Sequence, residues 1–276
     1  MATSGRSTGG TGRARRTGML ALAGILVVGF AAWWFLIRSD APPAPDLAIA
    51  VETAMAAQQP TTTAAPTATV APSATVVPVS TVAPSITVGP AEPSGTWVVD
   101  PDIGSFQDFT STWVGYRIDE ELGRGIGATT AVGRTPLVAG TVVLADDVLV
   151  SAEVTADLRG LKSDRPYRDG KVFDVLQVAQ HPEAVFVLDG PLPLVTGATE
   201  AAATVHGVLT INGIAVAVDA TLDATLVGEV LTVVGSLPVV LADHGVEAPS
   251  AQIVISVADH GIVEFQLFLT HAAAIG

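Results

Sequence analysis

The chain has 276 residues, a formal net charge of −14 and no cysteine. Without cysteine, a disulfide framework, a cysteine-type zinc site and thiol chemistry are excluded. The acidic balance argues against nucleic-acid binding, which needs clustered basic surface on a generally basic domain, and it fits the solubility of an exported protein. The mean hydropathy of +0.51 is raised by one apolar segment near the N-terminus, so the folded part is smaller than the chain.

That apolar segment is residues 19–37, an uncharged run that predicts one transmembrane helix, because about 20 apolar residues cross a hydrocarbon layer of about 30 Å. Residues 1–18 contain four arginines and no acid, which predicts a cytoplasmic basic tail. Trp33 and Trp34 near the other end of the run favour a membrane interface and a retained anchor. A single-pass protein of the cell membrane with an extracytoplasmic domain is expected. The alternative is a cleaved signal peptide, whose apolar region is shorter, about 7–15 residues.

Residues 38–94 are rich in proline, threonine and alanine. Proline removes backbone donors and pushes the preceding residue into extended geometry, so this composition predicts a disordered stalk. The threonine, serine and proline content also fits O-glycosylation.

Residues 95–276 are predicted to form an all-β domain. The clearest strand lies at 216–226, where apolar residues alternate with Asp219, Thr221 and Asp223, the period of a half-buried strand. Residues 142–158 alternate similarly around an Asp146-Asp147 turn. Further strands are predicted at 96–100, 113–119, 130–134, 184–189, 231–237, 252–257 and 263–270. Short strands separated by turn signals favour an antiparallel barrel or sandwich.

Two local signals refine this domain. Asn212-Gly213 stands between two strand patterns and supplies the positive φ angles of a type I′ hairpin. Within residues 168–180, Val172, Leu176 and Ala179 recur at helical spacing, which predicts a short helix across one end of the domain.

Several motifs together resemble the YceI-like family, over roughly Trp97 to Thr270. These motifs are the opening Trp97-Val98-Val99-Asp100, the charged stretch 161–176, His181-Pro182-Glu183 and the hairpin 205–213. The resemblance implies an extended lipocalin-like barrel around an elongated apolar cavity that holds an isoprenoid-tailed lipid.

Other stretches locate the chain within that family. The stretches 113–117 and 131–135 resemble membrane-anchored actinobacterial members. Ile103-Gly104-Ser105-Phe106 and Tyr167-Arg168-Asp169 depart from the commoner pattern, which has histidines near those positions, so roles of those histidines do not carry over.

The strand pattern and the resemblance together predict a ligand-binding apolar lumen that small inward residues keep open. The residues proposed to line it are Trp113, Tyr116, Phe173, Leu176, Phe186, Leu209, Val218 and Leu222. The alternative is that residues such as Leu209, Val218 and Leu222 fill a dry core. Asp164, Arg165, Arg168 and Asp169 form a predicted mouth loop. Its cations either meet a lipid head group or pair with neighbours to close the barrel.

The predicted function is to bind and to shelter or carry an isoprenoid-tailed lipid at the outer face of the cytoplasmic membrane, either a polyprenyl compound or a quinone such as menaquinone. No catalytic residue and no metal site is predicted, because nucleophile-elbow, phosphate-loop and His-Glu-x-x-His motifs are absent and the histidines are scattered. No cofactor apart from that bound lipid is expected. The partners expected are lipid and membrane, not nucleic acid. The alternatives are a stalked cell-surface scaffold or adhesion module without a lipid and, third, an uncharacterised hydrolase.

Overall fold

The structure, a computed structural model, describes residues 41–59, 93–194, 200–249 and 253–272. Within these ranges the chain forms two α-helices and thirteen β-strands, and all the strand pairs are antiparallel. The helices are α1 (Leu47–Ala57) and α2 (Pro166–Val175). The strands are β1 (Gly95–Val99), β2 (Trp113–Leu122), β3 (Gly127–Thr135), β4 (Val138–Ala145), β5 (Val148–Asp157), β6 (Lys162–Ser163), β7 (Glu183–Leu188), β8 (Leu192–Pro193), β9 (Glu200–Ile211), β10 (Ile214–Val227), β11 (Val230–Val240), β12 (Val254–Val257) and β13 (His260–His271).

Eight strands close into a barrel, in the order β1, β4, β5, β7, β9, β10, β11 and β13. Closure comes from the last part of β13, where Trp97 lies opposite His271 and Val99 lies opposite Leu269. The first part of β13 pairs instead with β2. The β2–β3 hairpin therefore continues the wall beyond the end of β1 at Val99. The prediction of an all-β antiparallel barrel is confirmed.

The barrel has two distinct ends. The α2 end carries α2, the β9–β10 turn at Asn212-Gly213 and a 3-10 turn at Leu241–His244. The β4–β5 end carries the turns at Asp146-Asp147 and Gly228-Glu229. Asn212 and Gly213 have φ angles of 53° and 73°, which confirms the predicted type I′ turn.

Helix α2 differs in its bounds from the predicted 168–180. It begins at Pro166, because proline fits the first turn of a helix, where its missing N–H is not needed. It ends at Val175 because Gln177 adopts a φ of 49°, in the left-handed region that a right-handed helix cannot continue through.

The segment 41–59 corrects the prediction of a disordered stalk over 38–94. It contains α1, whose buried Ala50 and Ala54 pack on the outer face of the barrel against Val230, Val234 and Phe268. Asp46 caps the helix by accepting hydrogen bonds from the backbone N–H groups of residues 48 and 49. Alanines four apart lie on one helix face and allow close approach, a pattern hidden within an alanine-rich composition.

The remainder of the predicted N-terminal region lies outside the described residues. This holds for the basic tail at 1–18, the transmembrane helix at 19–37 and residues 60–92 of the stalk. Within the described ranges, no helix has the length and apolar character needed to cross a membrane.

A buried ion cluster joins the N-terminal segment to the barrel. Glu264 on β13, only 3% exposed, accepts a hydrogen bond of 2.6 Å from Arg117 Nε and lies 3.7 Å from Arg134 Nη2. The two arginines also donate to backbone carbonyls of the docked segment, Arg117 to Pro42 O at 2.8 Å and Arg134 to Pro43 O. One carboxylate therefore holds both cations where they can bind the entering chain.

The Arg134 side chain is 2% exposed, and burial lowers its pKa to about 10, although Glu264 opposes this shift. The guanidinium therefore stays protonated at neutral pH and needs compensating contacts inside the fold. Beyond Glu264 and Pro43, it lies over the rings of Trp113 and Phe109, with its central carbon 3.7 Å and 4.6 Å from their centroids.

A second buried polar residue on β13 fixes the loop between β1 and β2. The Gln266 side-chain amide donates to the backbone carbonyls of Thr110 at 2.9 Å and Ser111 at 2.8 Å. Thr112 Oγ1 donates to Asp100 O at 2.9 Å and accepts from Phe268 N at 3.1 Å. The loop therefore covers the same outer face as α1.

We predict that Glu264→Gln lowers the free energy of unfolding by about 3–5 kcal/mol, because it leaves two cations without a carboxylate in a buried site. Chemical denaturation measures the change. Asp259→Asn is the matched control, since Asp259 pairs with His260 in full contact with solvent and should change stability little. Equal losses in the two variants would contradict a supporting role for the buried cluster.

We also predict that Ala54→Leu destabilises the protein by about 1–3 kcal/mol, because the larger side chain overpacks the contact between α1 and the barrel. Ala56→Leu, the same change on the exposed side of the same helix, is the control and should be near neutral. Thermal and denaturant unfolding of both variants measure this. If both behave like the unaltered protein, α1 does not dock.

Candidate ligand-binding cavity

The barrel encloses a cavity of about 350 Å³ with an almost entirely apolar lining. Its wall comes from the inward positions of the barrel strands, spaced two apart along each strand. On β10 these include Leu222, Ala224 and Leu226. The volume is within the range of small-molecule sites in proteins, about 300–1,000 Å³.

The cavity is elongated along the barrel axis. Its lining reaches Pro93 and Glu200 near the β4–β5 end and Val246 and Val257 near the α2 end. On β11 the lining runs from Leu231 to Val239, eight steps along the strand, which corresponds to roughly 26 Å at about 3.3 Å per residue. A long, narrow apolar molecule fits this shape better than a compact one.

Small side chains explain why the lumen is open. An eight-stranded barrel is about as wide as its own side chains can fill, so bulky residues at every inward position would close it. Several lining positions are instead alanines, namely Ala131, Ala152, Ala156, Ala184, Ala201, Ala203, Ala220 and Ala224. The prediction of small inward residues is confirmed.

Three aromatic side chains of the lining lie against glycines on neighbouring strands. Tyr116 is directly opposite Gly133, and Phe265 is directly opposite Gly235. The third ring, of Phe186, covers Gly207 on β9. A Cβ on any of these glycines would overlap the ring beside it. The glycines therefore let the rings lie along the wall.

An ion-paired group of side chains lines the α2 end of the cavity. Arg168 Nη2 donates to Glu120 Oε1 at 2.5 Å, and Nη1 binds Asp164. Burial opposes the charge on Arg168, but the two carboxylates outweigh it and raise its pKa. The neighbouring Tyr116 hydroxyl has a raised pKa, chiefly through burial, with Arg168 opposing, so it stays protonated at neutral pH.

The predicted mouth loop is partly helical, because Arg168 and Asp169 lie within α2. Asp169 accepts hydrogen bonds from Ser163 N at 2.9 Å and from Ser163 Oγ at 2.6 Å. Arg165 Nε lies 3.3 Å from Asp164 Oδ2. These contacts tie α2 to β6 and favour the structural role of the loop over head-group recognition.

Six of the predicted site residues line the cavity, and the others do not. Those that line the cavity are Tyr116, Leu176, Phe186, Leu209, Leu222 and, from the mouth loop, Arg168. Phe173 and Val218 are not in the lining; Phe173 packs in the cluster under α2, and Val218 packs beside Leu209.

The prediction that Trp113 lines the cavity is wrong, because its side chain does not face the lumen. Its ring lies under Arg134, and its indole N–H donates to Phe109 O at 3.1 Å. Residues three apart in a regular strand face opposite sides, so Trp113 and Tyr116 could not both point inward. That signal was present in the sequence. Phe265 was missed, although the alternation within 263–270 marks it as an inward position.

The described residues contain no group of three or more metal-binding side chains that could hold an ion. The exposed His206 and His260 each pair with an aspartate, and the buried His244 contacts Ile214 O at 3.2 Å. The cavity is thus the site on which a functional proposal can rest.

The fold and its cavity define a β-barrel protein that can enclose an elongated apolar ligand. The chain belongs to the YceI-like domain family, whose sequence model matches residues 97–269. No curated protein matches the chain. The assignment to membrane-anchored actinobacterial members stays a prediction.

Several solved structures are similar in fold to this chain. A polyisoprenoid binding domain from Saccharophagus degradans is 14% identical with a TM-score of 0.47, covering 64% of this chain and 98% of that one. BcnA from Burkholderia cenocepacia is 21% identical with a TM-score of 0.45, covering 56% and 95%. The YCEI protein of Campylobacter jejuni is 14% identical with a TM-score of 0.40, covering 51% and 84%. Family membership itself rests on the match over residues 97–269.

We predict that Gly133→Ala costs about 1–3 kcal/mol of stability, because its new methyl group meets the Tyr116 ring and must push it into the lumen. The change in unfolding free energy should be much smaller in a Tyr116→Leu background, where the ring is absent. A double-mutant cycle measures this coupling. If the cost is the same in both backgrounds, the ring and the glycine do not form a packed pair.

Proposed function

We propose that the protein binds an isoprenoid-tailed lipid in the barrel cavity and carries or shelters it at the outer face of the cytoplasmic membrane. The observation that carries this proposal is the cavity itself, which is apolar and continuous along the barrel. The ligand class considered is a polyprenyl compound or a quinone with a polyprenyl tail, such as menaquinone.

The physical basis is the burial of an apolar chain. Removing apolar surface from water is favourable by roughly 25 cal/mol per Å², and it requires no particular arrangement of hydrogen bonds. The inward faces of β10 and β11 offer such a lining in Leu222, Leu226, Leu231 and Val233. Membership of the YceI-like family supports the ligand class, since the motifs at 161–176 and 205–213 resemble members associated with isoprenoid lipids.

Binding without catalysis is the role that the lining supports. Two charged residues of the lining, Arg168 and Glu120, pair with each other, and Arg168 also binds Asp164. The proposal therefore includes binding and no reaction at these residues.

Membrane location is part of the proposal and is supported by the sequence. Residues 19–37 have the length and apolar character of a membrane span, and the arginines of residues 1–18 favour a cytoplasmic N-terminus. The barrel would then reside on the opposite side, where lipids of the outer leaflet are within reach.

The test is lipid occupancy of the full-length protein, measured by organic extraction and mass spectrometry and by uptake of added menaquinone or polyprenyl lipid. We expect Leu222→Gln to weaken binding roughly 5- to 150-fold, because an amide without a partner in an apolar cavity costs about 1–3 kcal/mol. Thr221→Gln is the matched control. It places the same side chain on the exposed face of β10 and should leave occupancy unchanged.

Two results would reject the proposal. One is an unaltered protein that carries no lipid and takes up none of those offered. The other is equal lipid binding by Leu222→Gln and Thr221→Gln when both are folded. Either result would favour the alternative, a cell-surface scaffold or adhesion module without a lipid ligand.

A further inference from the structure

The docked segment limits how far the barrel can stand from a membrane. Pro42 and Pro43 are bound to the barrel through their carbonyl groups by Arg117 and Arg134. The predicted membrane span ends at residue 37, five residues before Pro42. Five residues reach at most about 18 Å even when fully extended. A barrel tethered in this way stays close to the bilayer surface.

The register of the strands shows which end of the barrel lies nearest to that tether. Arg117, which binds Pro42, is opposite Ile262, two residues from the start of β13 at the α2 end. From there α1 leads to the other end, where Gln58 accepts from Glu229 N at 3.2 Å and donates to Val227 O at 2.8 Å. The chain therefore reaches the barrel near its α2 end.

The surface of the α2 end is a second, independent observation. Large apolar side chains are exposed there on α2, on β12 and at the ends of β10 and β11. They are Tyr167, 71% exposed, Ile255, 65% exposed, and the less exposed Ile214 and Val240. Single exposed apolar residues are ordinary, but their concentration at one end of a barrel marks a contact surface.

The opposite end exposes fewer large apolar side chains, namely Val150 close to the β4–β5 turn and Met55 on α1. Its turns consist of Asp146-Asp147 and Gly228-Glu229, which are polar or without a side chain. The α2 end carries exposed acids such as Asp243 as well as exposed bases such as Arg124 and Lys162, so the proposal does not depend on attraction to anionic lipid. Burial of apolar side chains in the interface is the favourable contribution there.

We propose that the α2 end rests on the lipid bilayer, and that lipid enters and leaves the cavity through this end. The exchange step rests on the lipid binding proposed above, whereas the orientation rests only on the membrane span proposed there. The cavity lining reaches Val246 and Val257 at this end, so a lipid tail would pass from the bilayer into the barrel over a short path. The α2 end is thus both the membrane-contacting surface of the barrel and the site of lipid entry.

Orientation is tested with single cysteines, since the chain has none of its own. Ile255→Cys and Glu229→Cys place a fluorescent label at opposite ends of the barrel, whose strand β11 alone is about 33 Å long at roughly 3.3 Å per residue. The full-length variants are reconstituted into phosphatidylcholine vesicles with and without lipids that carry a nitroxide quencher near the head group. We expect loss of most of the fluorescence from the label at position 255 and little loss from the label at position 229. Equal quenching, or the reverse order, would overturn the proposed orientation.

Exchange is tested by the rate of menaquinone uptake from the same vesicles. The pair Ile214→Ser and Ile255→Ser should slow uptake several-fold and leave the final occupancy unchanged. Val187→Ser, an exposed apolar position on the side of the barrel, is the control and should leave the rate unchanged. Equal rates would reject entry through the α2 end. If no lipid is ever bound while the label at position 255 is quenched, the proposed function fails and the orientation stands.

Discussion

The outer face of this barrel depends on one buried carboxylate. Glu264 neutralises Arg117 and Arg134 in a place where neither cation could remain unpaired without a cost of several kcal/mol. With both arginines fixed, Arg117 donates to the carbonyl of Pro42 and Arg134 to that of Pro43, and the Arg134 guanidinium lies over the Trp113 ring. The docking of α1 and the packing of the neighbouring loop both follow from this arrangement.

A barrel with an open lumen has less stabilisation from interior packing, because side-chain atoms that face a void lack van der Waals contacts on that side. Packing elsewhere in the fold must compensate for this loss. In this protein, the compensating contacts lie on the outer face of the barrel. Ala50, Ala54 and Phe268 are completely buried there, and Trp113 is nearly so. The N-terminal segment is therefore a part of the folded domain, and it supplies a covering that the strands alone lack.

Much of the fold could be predicted, because strand patterns and tight turns are local signals. The alternation at 216–226 and the Asn212-Gly213 turn both appear in the structure as expected. Five of the eight predicted lumen residues line the cavity. The misses come from interactions between distant parts of the chain. Polar residues at outward strand positions predict exposure to solvent, yet Glu264 and Gln266 are buried by segments far away in sequence. Helix α1 is stabilised by packing on the barrel surface, which its own composition does not reveal.

The docking of α1 has a consequence for the integrity of the polypeptide. Residues 41–59 bind the barrel through buried alanines, the Gln58 side chain and two arginines, and none of these contacts requires a peptide bond to Pro93. A protease cut within residues 60–92 would therefore yield two chains that remain associated, with the N-terminal piece acting as a bound peptide. In such a cleaved molecule, the barrel and the N-terminal segment would be held together by noncovalent binding alone. Their association would then be an equilibrium set by the affinity of the segment for the barrel.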